Sequence, residues 1–286
     1  MKISIVTINY NSSKNTIKLL ESLRNQTDRD FSVIVVDNDS KDVNQLMDYK
    51  TSETNITYIK NNKNLGYSGG NNLGIHQALK NGSDWVFLLN NDTMPESHLI
   101  EHLRADLQGI EGIVGLALNE GSKIAFAGHI EWLKPTLEHI YHQININKPK
   151  VYVIGGAMLI HKSVFDKIGF LDENYFLYFE DADFCQRARK AKVPVFFLPE
   201  IKVFHSVSAS TIKLGSPLLL RYHYRNALYF NLKNGPFYIK LLAWPWSLLV
   251  AFKQVIKIII NKNGEQSMAI LKGVGDFYQE HYGKLH

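Results

Sequence analysis

Two hydrophobic periods alternate along the first hundred residues. Residues 3–8 (ISIVTI) form a β-branched run, and residues 14–25 then place Ile17, Leu20 and Leu23 at helical spacing. Residues 31–36 (FSVIVV) predict a second strand that ends at Asp37, and residues 55–59 a third. Residues 68–79 are helical through Leu73, Ile75, Ala78 and Leu79, and residues 85–89 (WVFLL) give a fourth strand that runs into Asn90, Asn91 and Asp92. Strands alternating with helices predict an α/β fold, with a mainly parallel central sheet flanked by helices on both faces. Ligands of such sheets bind beyond the carboxyl ends of the strands, where Asp37 and Asp92 both stand.

Farther on the pattern is richer in strands. Residues 113–118, 124–127 and 152–160 (YVIGGAMLI) read as strands, with Gly155 and Gly156 marking a bulge or a close backbone approach. Residues 180–191 are helical, with Phe184, Cys185 and Ala188 on one face. Residues 193–197 and 203–204 read as two short strands on either side of Pro199. Residues 218–232 form a Tyr-rich helix, and residues 237–260 are long and apolar, interrupted by Lys240, Pro245, Lys253 and Lys257. Trp244, Trp246 and flanking lysines are what an interfacial helix carries. A helical hairpin packed on the body, lysines outward, accounts for the same pattern. No internal repeat or low-complexity linker interrupts the chain.

Composition narrows the class. The 286 residues suffice for a full core, and the single cysteine, Cys185, excludes an internal disulfide framework and fits a reducing compartment. The first residues, MKISIVTINYNSS, do not read as a signal peptide, and no uninterrupted apolar run of 18 residues predicts a transmembrane helix. The net charge of +5 is uneven: residues 213–286 hold 10 Lys+Arg against 3 Asp+Glu, the rest 22 against 24. A basic tail section suggests an acidic partner, nucleic acid or anionic lipid. No nucleic-acid-binding motif accompanies it.

Several segments carry candidate chemistry, each open to a plainer reading. The stretch 64–72 (NLGYSGGNN) follows a strand and opens a helix, so its glycines allow a backbone to approach a ligand. It matches neither GxGxxG nor a P-loop, and alone it reads as a loop. Asp37 either caps the next helix or accepts from a base N3–H or a ribose hydroxyl. Asp92 with its amide neighbours either forms an Asx turn or supplies hard oxygen to Mg²⁺ or Mn²⁺. Glu180, Asp181 and Asp183 follow the aromatic run YFLYF, either favoured by the helix dipole or placed as a general base for a sugar hydroxyl. His205 becomes a metal ligand if the fold brings it to Asp92.

In this order the segments VTINYNS (6–12), VIVVDNDS (33–40), NLGYSGGNNLGI (64–75), WVFLLNNDT (85–93), GGAMLI (155–160), FLYFEDADFCQRA (176–188) and VFHSVSAS (203–210) resemble the inverting family 2 glycosyltransferases, specifically the bacterial rhamnosyltransferase-like branch. The resemblance covers roughly residues 3–210. It implies a GT-A fold, Rossmann-like, over residues 1–212, with a nucleotide-sugar half over about 1–110 and an acceptor half over about 111–212. Residues 213–286 would be a helical extension, either membrane-interfacial or forming a homodimer. Thr7, Asn9 and Asp37 would hold the nucleoside; Asn64, Gly66, Gly69, Asn71 and Asn91 would shape the nucleotide-sugar wall. Asp92 matches the last carboxylate of the metal-binding DxD, and His205 the histidine that completes the site for Mn²⁺ or Mg²⁺. Asp181 matches the catalytic base, with Glu180, Asp183 and Gly156 near acceptor or donor sugar. One departure stands out: Asn90 occupies the position of the first Asp of that motif.

The resemblance further implies transfer of a sugar from a dTDP- or UDP-sugar, first L-rhamnose from dTDP-rhamnose, to a cell-surface polysaccharide or lipid-linked glycan. It implies a cytoplasmic enzyme, peripheral on the inner face of the membrane, with no nucleic-acid partner. A sugar nucleotidyltransferase would carry a glycine-rich basic loop after the first strand, where NYNSS stands instead. A non-catalytic glycan-binding protein would not need Asp92, Asp181 and His205 together.

Overall fold

The computed structural model describes residues 1–49, 55–206 and 216–285. The end of the last motif, residues 207–210, lies outside them. The chain runs β1 (Ile3–Asn9), α1 (Ser13–Arg24), β2 (Phe31–Asn38), α2 (Val43–Asp48), β3 (Ile56–Asn61), α3 (Gly66–Lys80), β4 (Trp85–Leu89), β5 (Thr93–Pro95) and α4 (Leu99–Asp106). There follow β6 (Ile113–Asn119), β7 (Ile124–Ala125), β8 (Ala127–His129), β9 (Glu138–Ile140), β10 (Val151–Tyr152), β11 (Ala157–His161), α5 (Lys162–Ile168), α6 (Glu180–Lys190) and β12 (Val195–His205). Three helices close it: α7 (Pro217–Asn234), α8 (Phe237–Ile259) and α9 (Gly264–Tyr278).

The central sheet has the order β3-β2-β1-β4-β11-β6-β12-β5, with β7 beside the end of β6. Strands β3, β2, β1, β4, β6 and β12 run one way; β11, β5 and β7 run against them. The sheet is therefore mainly parallel, as its β/α alternation predicts, with one reversed strand inserted in the middle. Strand periodicity divides the core. Ile3, Ile5, Val33, Val35, Trp85, Phe87 and Leu89 face α1 and α4 with Leu19, Leu23, Ile100 and Leu103. Val6, Ile34, Val36, Val86 and Leu88 face the other way, toward Ile75 of α3 and Phe184 of α6. Ala227 and Phe230 of α7 belong to that second layer, so the first C-terminal helix packs on the sheet body.

The structure corrects several boundaries. The segment 152–160 is not one strand: a turn at Gly155 and Gly156 separates β10, in a small antiparallel sheet with β8 and β9, from β11. The two short strands expected around Pro199 are one strand, β12. Its ladder to β6 passes from Leu198↔Leu116 to Lys202↔Ala117, so residues 199–201 bulge out of register. Proline is tolerated there because its missing N–H is asked for no ladder bond. The short helices α2, α4 and α5 have too few turns for periodicity to show. Helix α9 adds a third member to the expected hairpin.

Candidate active site

The carboxyl ends of β4, β1 and β2 are joined by one polar network. Asn91 Nδ2 donates to Thr16 Oγ1 at 2.9 Å, Thr16 Oγ1 to Asn9 Oδ1 at 2.8 Å, and Asn9 Nδ2 to Asp37 Oδ1 at 2.8 Å. Asn9 and Asp37 are direct partners in the β1/β2 register, which is why these side chains meet. The Ser40 amide donates to Asp37 Oδ2 at 3.2 Å. The Thr7 hydroxyl, two residues back on β1, is buried without a hydrogen-bond partner among the described residues.

The glycine-rich turn sits beside this network. Asn64 Oδ1 accepts from Asn38 Nδ2 at 3.0 Å and from the Gly66 amide at 2.8 Å. Gly66 has φ +73°, and a Cβ there would overlap the carbonyl oxygen of Phe176. Gly66→Ala should therefore destabilise the fold by about 2 kcal/mol or more, read from urea unfolding. Gly69 packs against Leu65 and Glu173. Asn71 Nδ2 turns back to the Tyr67 carbonyl at 3.1 Å within α3.

Asp92 and His205 come together because β5 pairs with the end of β12, His205 opposite Thr93. His205 Nε2 lies 3.2 Å from Asp92 Oδ1, and its buried Nδ1 lies 3.9 Å from Glu120 Oε1. Burial pulls the imidazole pKa down, but the Asp92 hydrogen bond and the charges of Asp92 and Glu120 outweigh it, so it stands above the ordinary histidine value. Two cis ligands on an octahedral ion, each about 2.1 Å from it, stand about 3 Å apart, so this pair fits a divalent cation. Among the described residues no three His, Cys, Asp or Glu side chains gather into a metal site. An ion held here would complete its shell with diphosphate oxygens or water.

The start of α6 carries the second group of acids. The Gly155 amide donates to Asp181 Oδ2 at 2.9 Å, and the Ala182 amide to Asp181 Oδ1 at 2.7 Å. Burial raises the Asp181 pKa; those two amides and the charge of His139 oppose the rise without cancelling it. Glu180 is pushed well above the usual carboxylate range, first by burial and then by the charge of Asp181. The next residue, Gly156, receives the Asn90 amide on its carbonyl at 3.0 Å, and its α-carbon faces the Asn90 side chain. One Gly-Gly dipeptide thus ties Asp181 to the end of β4, and Cβ atoms on it would press on Asp181 and Asn90.

The structure does not bring Asp183 into this space. It is fully buried, accepting from Arg187 Nε and Asn234 Nδ2 at 2.7 Å and paired with Lys233 at 2.8 Å. Three neighbours were missed by sequence reasoning. The Tyr67 hydroxyl donates to the Gly155 carbonyl at 2.7 Å, and its pKa is raised first by burial and then by the charges of Glu180, Asp181 and Asp92. Glu120, at the end of β6, stands behind His205 and 3.0 Å from His139 Nδ1. Only the Tyr67 position, inside a glycine-rich motif, carried a local signal.

The aromatic loop before α6 is strained. Phe176, Tyr178 and Phe179 all have positive φ, 64°, 69° and 75°. Helix α7 holds it: Arg225 Nη2 donates to the carbonyls of Asn174 and Tyr175 at 3.0 and 2.8 Å. Asn226 Nδ2 lies within 3.2 Å of the carbonyls of Tyr175, Leu177 and Tyr178.

A mainly parallel α/β sheet with a reversed strand inserted between β4 and β6, acids beyond its carboxyl ends and a C-terminal helical layer match the GT-A glycosyltransferase fold. Residues 4–169 match the model of "Glycosyl transferase family 2", more than half of the chain, so the chain belongs to that family of enzymes. It is 26% identical over 300 residues to a low-salt glycan biosynthesis hexosyltransferase of Haloferax volcanii, covering 99% of this chain and 92% of that one. It is also 26% identical to the dTDP-rhamnosyl transferase RfbF of Shigella flexneri, over 80% of this chain and 79% of that one. The crystal structure of GalNAc-T7 with UDP, GalNAc and Mn²⁺ shares the fold at TM-score 0.66 and 13% identity, covering 98% of this chain and 56% of that one.

Proposed function

We propose that the protein transfers a sugar, first L-rhamnose from dTDP-rhamnose, onto a hydroxyl of a growing polysaccharide or lipid-linked glycan with inversion at C1. The observation that carries this reading is the Gly155–Gly156 dipeptide, whose first amide bonds Asp181 and whose second carbonyl accepts from Asn90, so that it links the proposed base to the strand end that carries Asp92. The Asp181 carboxylate takes the proton of the acceptor hydroxyl as that oxygen bonds to C1. The C1–O bond to the nucleoside diphosphate breaks, and the diphosphate leaves with the electron pair. Asp37 and Asn9, fixed by their shared hydrogen bond, orient the nucleoside; Asn64 and Gly66 shape the wall beside it. Asp92 and His205 would hold a divalent cation, whose charge offsets that of the diphosphate. The Shigella relative's name supports dTDP-rhamnose as donor; UDP-hexoses and UDP-N-acetylhexosamines are the alternative donors.

Donor turnover tests the reading. Purified protein is incubated with dTDP-rhamnose and a panel of UDP-sugars, each with Mn²⁺, Mg²⁺ or EDTA, and released nucleoside diphosphate is measured with and without glycan acceptors. Release from dTDP-rhamnose that EDTA abolishes is the expected result. Release indifferent to EDTA would remove the cation while leaving the transferase, and release only from a UDP-sugar would change the donor.

A further inference from the structure

Helix α8 is inside out. Against α7 and α9 it buries Ile239, Ala243, Ser247 and Gln254, while Phe237, Leu241, Leu248, Leu249, Phe252 and Ile259 are 57–76% exposed. Single exposed apolar residues are ordinary, but a continuous stripe is not. At 100° per residue, 237, 241, 248, 252 and 259 fall within one narrow sector, opposite the buried face, along about 33 Å of helix. Trp244, 52% exposed, stands at its edge. Exposed Leu242, Leu249 and Ile260 widen this face on one side, so Lys253 bounds it there and Lys240 bounds it on the other; Lys262 follows the helix. No acid occurs from residue 237 to 263.

We propose that this face docks on a bilayer surface rich in anionic lipid, with α8 lying in the membrane plane, its apolar stripe at the acyl boundary and its lysines among the phosphates. Charge selects this occupant over a second copy of the chain. A twofold contact through the stripe would set lysine against lysine with no acid to offset them. Length and composition alone would let α8 cross a bilayer. Its rear face argues for lying flat: Ser247 Oγ is 2.5 Å from the Tyr278 hydroxyl, and Trp244 at the edge of the stripe leans on the same Tyr278, ring centroids 5.4 Å apart. The helices behind it carry the Arg221–Asp276 ion pair, which spanning would draw toward hydrocarbon. The inference stands on α8 alone and is independent of the sugar transferred.

The test is flotation of the full chain with phosphatidylcholine vesicles, with and without phosphatidylglycerol, at low and high salt. The expected result is flotation with the anionic vesicles, weakened by salt and reduced at least tenfold in Leu248→Glu/Phe252→Glu. Both positions are more than 60% exposed, 68% and 66%, so the double variant should keep the parent's circular dichroism and melting temperature. Intact protein that fails to float with anionic vesicles at low salt overturns the proposal. So does equal flotation with both vesicle types, or a solution dimer that does not float and that the double variant converts to monomer.

Discussion

Replacing Asp181 by asparagine will leave donor binding in place and cut sugar transfer on the order of a thousandfold, the usual worth of a positioned general base. The isosteric amide cannot accept the acceptor's proton, while the residues proposed to hold the donor on β1, β2 and α3 are untouched. The pH profile gives a second readout. Burial sets the Asp181 pKa above its ordinary value, against the pull of the Gly155 and Ala182 amides. The base works only when ionised, so the wild-type rate falls as pH drops through that raised value. Its acid limb should lie above the pH at which an exposed aspartate titrates, about 3.9, and the variant's residual rate should lack that limb. The same shift acts on stability with a definite sign. The folded state holds this proton more tightly than the unfolded chain, so ionised Asp181 costs stability above its folded pKa, and the cost is relieved as pH falls through it. Steady-state kinetics across pH, with donor affinity measured separately, checks both statements; an unchanged transfer rate in the variant would remove Asp181 from the chemistry.

Arg225→Ala should cost about 3 kcal/mol or more of stability. The side chain is fully buried, and its five described bonds go to neutral oxygens: the Asn226 side chain and the carbonyls of Asn174, Tyr175, His281 and Gly283. Burial without a bonded carboxylate lowers the guanidinium pKa to about 10. Truncation removes the described donor of the His281 and Gly283 carbonyls, each costing about 1–3 kcal/mol if it stays buried and unpaired, whereas the Asn174 and Tyr175 carbonyls keep the Gly283 and Leu177 amides and the Asn226 side chain. It also releases one end of the loop in which Phe176, Tyr178 and Phe179 are held at positive φ. Transfer should therefore fall even at temperatures where the variant remains folded. Arg225→Lys should recover only part of either property, because an ammonium cannot reach four carbonyls set in a fork. Urea unfolding and turnover on the same samples measure both effects; full activity in a stably folded Arg225→Ala would show that the loop needs no such clamp.

The first half of the fold was legible because its information is local. The residues of β1, β2 and β4 alternate between two core layers, and their apolar runs show it without knowledge of what they touch. Polar residues at the ends of those runs located Asn9, Asp37 and Asp92 near one another, since a parallel sheet lines up its strand ends. Glu120 was not legible. It follows an unremarkable strand, and its neighbours His139 and His205 are 19 and 85 positions away. The Arg225 clamp, reaching back to Asn174 and Tyr175, is hidden for the same reason. Asp183 was misjudged although a local clue existed: Arg187 lies four residues on along the same helix and offered it an internal partner. The face of α8 could not be assigned from sequence, because a stripe of Leu and Phe reads the same whether it points inward or outward.

The Arg225 clamp also sets an order of events during synthesis. Two of its carbonyl partners, His281 and Gly283, come about a hundred residues after Asp181. At about 5–20 residues per second, the segment bearing Asp181 waits on the order of ten seconds before those partners emerge. The β/α half can take shape on the ribosome meanwhile, with its nucleotide-side residues already in register. The clamped loop would then form only once the chain has been made through Gly283, so a nascent protein could hold a donor before it could spend one.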